Sequence, residues 1–168
     1  MATVSRPVTR GSFKRLARPL IGLRVSRVWQ SFEWSLFLEL GKLSWEPFPK
    51  EIVLRRKLKR RGSWKGESGL MLDAGWRIER ENSILADFRA DEAEMERAVR
   101  SLKGRRVEAV DVEGRLPEIS VQLSGGLWVR SLTVSSDETQ WALFLRRDAR
   151  RSVWLAARGR GLLREVGY

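Results

Sequence analysis

The stretch "RLARPLIGLRVSRV" at 15–28 returns in altered form as "RAVRSLKGRRVEAV" at 97–110. Leu20, Gly22, Arg24, Val25 and Val28 meet Leu102, Gly104, Arg106, Val107 and Val110 at a constant offset of 82. Farther along, "LFLELGKL" (36–43) matches "ISVQLSGGLWV" (119–129), and "WRIERENSIL" resembles "WALFLRRDARRSVWL". A repeat at fixed spacing implies one structural unit built twice. The reading is a single domain, 13–168, of two tandem halves, 13–88 and 89–168, preceded by a flexible basic arm at 1–12.

Each half opens with a helical lead-in ended by Gly. In the second, "DEAEMERAVRSLKG" starts at Asp91 with Glu94 three residues on, the spacing of a capping box. Met95, Val99 and Leu102 fall on one face, Glu92, Glu94 and Glu96 lie early, Arg100 and Lys103 late, and Gly104 stops the helix. Its counterpart "SFKRLARPL" is shorter and interrupted by Pro19. After each Gly the pattern changes to period two: "EISVQLS" alternates, Gly125 and Gly126 mark a turn, and "LWVRSLTV", "QWALFLR" and "SVWLAAR" follow at hairpin spacing. The fold class is therefore α+β, predominantly antiparallel β-sheet, with a helical lead-in and a β-meander in each half.

The halves differ in one place. From Gly41 to Trp76 there are 35 positions, but from Gly125 to Trp141 only 16, so the first half carries about 19 extra residues, placed at 47–65. That insertion contains most of "LRRKLKRRGSWKGE" and is expected to project as an extended hairpin or loop, where function often collects. Lys50, Arg55, Arg56, Lys57, Lys59, Arg60, Arg61 and Lys65, with Trp64 among them, are the candidate partner-binding residues. Such a run suits an acidic protein or nucleic-acid phosphates, or stays a solvated loop.

Charge supports an anionic partner. Thirty-three Lys and Arg against 21 Asp and Glu give a formal charge of +12. The excess sits in the first 27 residues, the insertion and the Arg-rich end around "RRDARR", Arg158, Arg160 and Arg164, while Glu79 to Glu118 is net acidic. A polar distribution of this kind favours a directed face over uniform solubilisation. Among the eight Trp, Trp34, Trp76, Trp128, Trp141 and Trp154 lie in strand-like patterns and are expected mostly in the core; Trp45 and Trp64 flank the insertion and are the surface candidates.

Chemistry is constrained by what is missing. The chain has no His and no Cys, which removes the usual neutral-pH base, the commonest metal ligands and a thiol nucleophile. The paired carboxylates Asp111/Glu113 and Asp137/Glu138 fit strand ends, turns and ion pairs, and "GRG" at 159–161 lacks the pattern of a dinucleotide loop. No apolar run reaches the roughly 18 residues of a membrane helix. The N-terminus has no hydrophobic signal segment, although its acid-free, Arg-containing composition also suits an organellar transit peptide. A non-enzymatic, cytoplasmic protein is expected, with no cofactor, no metal and no membrane partner.

"KGESGLMLDAGWRIERENSILAD" (65–87), then "LKGRRVEAV", "ISVQLSGGLWVRS" and "TQWALFL", resembles a broad group of small uncharacterised bacterial β-rich proteins. The shared positions are Gly66, Glu67, Trp76, Arg77, Ile78, Leu102, Gly104, Val107, Gly126 and Trp141. Some of that group are similar to immunity proteins of bacterial toxin systems, cytoplasmic binders that neutralise a toxin by covering it. The resemblance implies a non-catalytic binder of an acidic protein such as a toxin. This chain departs from nuclease-neutralising members, which are acidic and mimic nucleic acid, so a sequence-nonspecific nucleic-acid-binding accessory protein is the alternative.

Overall fold

A computed structural model describes residues 4–31, 34–73, 75–136, 138–148, 151–158 and 161–167. The chain runs β1 (Val4–Pro7), α1 (Arg10–Ala17), β2 (Val25–Gln30), β3 (Leu36–Leu40), β4 (Ser44–Pro47), α2 (Lys50–Arg55), β5 (Gly62–Lys65), β6 (Ser68–Leu72), β7 (Trp76–Arg80) and β8 (Ser83–Asp87). It continues through α3 (Glu92–Leu102), β9 (Val107–Glu113), β10 (Glu118–Leu123), β11 (Leu127–Ser131), β12 (Thr139–Asp148), β13 (Arg151–Arg158) and β14 (Gly161–Gly167). The result is α+β and mostly antiparallel, as the alternation predicts.

Local signals act where expected. Asp91 accepts from the Glu94 amide at 2.8 Å and Glu94 accepts from the Asp91 amide at 3.2 Å, closing the capping box of α3. Thr9 caps α1, whose helix gives way at Pro19 to a 3-10 turn over Arg18–Leu20. Gly22 and Gly104 take positive φ, +89° and +80°, which lets each lead-in turn sharply into its first strand.

Two larger sheets result, ordered β1-β14-β13-β12-β6-β3-β2 and β8-β7-β11-β10-β9, with β4 and β5 paired on their own. The inward residues of both sheets, including Leu38, Leu70, Ile78, Val121, Val129 and Leu143, join Phe13 of α1 and Leu102 of α3 in one core. Each such side chain contributes roughly 1.5–3 kcal/mol by leaving water.

The expected halves, 13–88 and 89–168, do not each keep a meander of their own. From β6 the chain crosses to the other sheet as β7 and β8, and from β11 it crosses back as β12 to β14. The crossings bind one another: the Asp73 amide donates to Gln140 at 3.0 Å and the Leu132 amide to Gly75 at 2.6 Å. Trp76, the first residue of β7, and Trp141, near the start of β12, are fully buried. Each indole N–H donates to a carbonyl just ahead of a strand in the sheet the chain has left, Trp76 to Trp34 at 2.7 Å and Trp141 to Pro117 at 2.6 Å. The crossings thus enclose two large rings with their polar atoms satisfied.

Two readings need correction. Residues 4–12, expected within a flexible arm, form β1, which adds to β14 with Val4 opposite Val166, and then lead into α1. The Arg-rich C-terminal end likewise supplies β14. Of the five Trp expected mostly in the core, only Trp76 and Trp141 are buried; Trp34 sits at φ +66° in a hairpin turn, 54% exposed, Trp154 lies on a sheet's outer face, 40% exposed, and Trp128 is half-buried. Asp137, Gly159 and Arg160 lie outside the described residues.

Candidate functional site

The basic run folds as a two-stranded hairpin with a helical tip. Ser44, Trp45, Glu46 and Pro47 of β4 face Lys65, Trp64, Ser63 and Gly62 of β5. Pro49 ends the extended path and opens α2, a six-residue helix with no buried side chain. Pairing continues past the strands, the Phe48 amide donating to Arg61 at 2.8 Å. Only Gly fits at position 62, where a Cβ would come within 2.5 Å of the Glu46 carbonyl and 2.7 Å of the Trp45 ring. The projecting hairpin expected of the insertion is present, and it begins slightly earlier, at Ser44.

Lys50, Arg55, Arg56, Lys57, Lys59, Arg60 and Arg61 are all exposed, gathered on α2 and the segment that returns to β5. Among the described residues none of them forms a salt bridge. Glu46 and Glu51 are the only acids between Ser44 and Lys65, so this tip carries a large uncompensated positive charge. Trp45 and Trp64 are half exposed and pack edge to face, ring centroids 5.6 Å apart.

Lys65 stands apart from the others. At the hairpin's root its ammonium lies 3.5 Å from Glu39 and 5.7 Å from the Trp29 ring centroid. Glu39 is a buried carboxylate on β3. Arg146 of β12 donates to it at 2.9 Å and to the Gly66 carbonyl at 2.8 Å, and the Gly66 amide donates to Glu39 at 2.8 Å. Gly69 makes room, since a Cβ there would meet Arg146 at 3.1 Å and Glu39 at 3.3 Å. This cluster ties the hairpin to the seven-stranded sheet, and Arg27 adds a 3.5 Å contact to Ser63.

Sequence reasoning missed the apolar part of the tip. Ile52, Leu54 and Leu58 are exposed between the cations, Leu54 at 77%. Their signal is the interleaving in "EIVLRRKLKR", too short to show a helical period. The carboxylates of β9 are ion-paired: Asp111 meets Lys14 at 2.8 Å and Glu113 bonds Arg130. They line a 360 Å³ surface cavity with Arg10, Gly11, Lys14 and Val112. Among the described residues no group of three or more acids could hold a metal ion, and no helix is long and apolar enough to cross a membrane.

No family model matches the chain, and no curated protein or solved structure matches it either.

Proposed function

We propose that this is a non-catalytic, immunity-like binding protein of the cytoplasm that engages an acidic protein through the hairpin of β4, α2 and β5. The observation that carries the reading is the mixture at its tip: Leu54, Ile52 and Leu58 stand exposed among cations that form no salt bridge among the described residues. Interfaces between proteins combine an apolar anchor with charges that steer encounter. Phosphate binding needs only the charges, and base stacking needs open ring faces. Here Trp45 and Trp64 direct an edge and a face at one another, which leaves less open ring for a base.

The same proposal takes the chain as a duplication, 13–88 and 89–168, whose final strands are exchanged between the halves. Reciprocal bonds support it. The Gly22 amide donates to Val107 and the Gly104 amide to Val25, both at 2.8 Å; the Val25 amide donates to Arg105 and the Val107 amide to Leu23, again at 2.8 Å. Each bond becomes its partner when 82 is added to one residue and subtracted from the other. The hairpin has no counterpart in the second half, so the shared fold does not require it.

The test is co-purification of the tagged, full-length chain with and without nuclease treatment, beside a variant carrying Ile52→Ser, Leu54→Ser and Leu58→Ser. An acidic protein retained after nuclease and lost from the variant is expected. Retention that disappears with nuclease, unaffected by the Ser variant, would instead establish nucleic-acid binding by the cations.

A further inference from the structure

Three cations share one acid where the hairpin meets the seven-stranded sheet. Arg27 of β2 is the cross-strand neighbour of Glu39 on β3, and Lys65 and Arg146 reach the same carboxylate from β5 and β12. The three are not equally engaged. Arg146 is firmly held, bonding Glu39 at 2.9 Å and the Gly66 carbonyl at 2.8 Å. Lys65 makes a looser approach to Glu39, at 3.5 Å. Arg27 forms no salt bridge among the described residues and touches the Ser63 hydroxyl at 3.5 Å. Both of these cations lie against the Trp29 ring, Arg27 at 4.7 Å and Lys65 at 5.7 Å from its centroid, and both are half-buried. Neighbouring acids do not balance them: Glu67 accepts from the Lys42 amide at 2.7 Å, and Glu46, opposite Ser63, is exposed and forms no salt bridge among the described residues. Nor does strand pairing require charge here. Just past the bulge between β2 and β3 the pair is Arg27 and Glu39, whereas just past the bulge between β9 and β10 it is Ala109 and Gln122.

We infer that the root of the hairpin is a second contact for the acidic partner, at which a carboxylate of that protein is held by Arg27 and Lys65 beside Trp29; this rests on the reading of the hairpin as the binder of an acidic protein. Two like charges held against one ring repel, and partial burial weakens the screening that water gives them. A carboxylate relieves that repulsion and brings two oxygens to cations that keep unused N–H donors. Glu39 stands beside them, so a singly charged group is favoured over a doubly charged phosphate. A base is disfavoured too, because Phe37 stacks on Trp29 with centroids 5.0 Å apart and the cations take up the ring's remaining surroundings. Both cations stand on paired strands, which fixes them before a partner arrives. Lys65 ends the strand that Arg61 leads into, a separation of about 14 Å along the hairpin. One partner surface therefore spans the root and the tip.

Heteronuclear NMR of the isotope-labelled full-length chain, titrated with acetylated tetraglutamate amide, tests this. The indole N–H peak of Trp29, identified by its loss in Trp29→Phe, should move and saturate, while sodium chloride at matched ionic strength should leave it in place. Arg27→Gln and Lys65→Gln, each with native circular dichroism, should raise the dissociation constant read from that peak by about fivefold or more. The peaks that move separate the root from the tip. Shifts at backbone amides 55–61 with none at Trp29 would keep the tip as a binder of acidic protein and overturn the root site; a Trp29 shift alone would support the root and count against the tip. Either variant binding the peptide as tightly as wild type, or a single-stranded oligonucleotide of equal charge moving the Trp29 peak at a lower concentration than the peptide, would also overturn the inference.

Discussion

Arg24 and Arg106 face each other in an antiparallel bridge, and each guanidinium donates to the carbonyl of the glycine that precedes the other, Arg24 to Gly104 at 2.9 Å and Arg106 to Gly22 at 3.2 Å. The bridge joins the start of β2 to the start of β9 and so ties one sheet's edge to the other's. It depends on both glycines holding positive φ, and neither has an atom within 4 Å of a would-be Cβ. Gly22→Ala and Gly104→Ala should therefore each cost about 1–2 kcal/mol from backbone strain alone, in similar amounts. Urea denaturation of the two variants checks this; a full cost at one position and none at the other would contradict the reciprocal arrangement.

Glu39 and Arg146, 107 positions apart, meet over Gly69. Removing the cation alone leaves a buried carboxylate held only by the Gly66 amide and the more distant Lys65, so Arg146→Met should destabilise by about 3 kcal/mol. Glu39→Gln in the same chain removes the uncompensated charge and supplies the amide type that Gln122 carries beside Trp128 in the other sheet. The double variant should recover at least half of the loss, as a double-mutant cycle in denaturant would measure. Failure to recover would mean that Arg146 acts by packing instead of by charge.

The hairpin tip is predicted to matter little for folding. Its cations are exposed and without ion-pair partners among the described residues, and α2 buries nothing. Ser at Arg55, Arg56, Lys57, Lys59, Arg60 and Arg61 should shift the unfolding free energy by no more than about 0.5 kcal/mol. A loss above about 2 kcal/mol would show the tip to be part of the folding unit.

What the sequence revealed and what it hid follow from range. The capping box at Asp91, the interruption at Pro19, the alternation of Ile119, Val121 and Leu123 and the turn at Gly125 are decided within a few residues, and each appears in place. The alternation around Trp76 and Trp141 was readable, but not that the chain changes sheets just ahead of each, because that choice is settled by which apolar faces meet in three dimensions. β1 was hidden for the same reason: an edge strand of four residues is stabilised by β14, at the far end of the chain. Trp154 was misplaced because residue type and alternation do not say which face of a strand turns inward, and Trp34 because it falls in the turn between β2 and β3 instead of in a strand. The site was legible as charge and invisible as an apolar surface, since exposed Leu54 and Leu58 differ from core leucines only in what surrounds them.

Binding through the hairpin is read out where it happens by placing a photo-crosslinking residue at Leu54 in the full-length chain and irradiating living cells. The adducts are then divided by digestion with nuclease or with protease. The hairpin proposal predicts a protease-sensitive, nuclease-resistant adduct with an acidic protein, which disappears when the six cations 55–57 and 59–61 are replaced by Ser. An adduct removed by nuclease, or an acidic-protein adduct that persists undiminished without the cations, would contradict it.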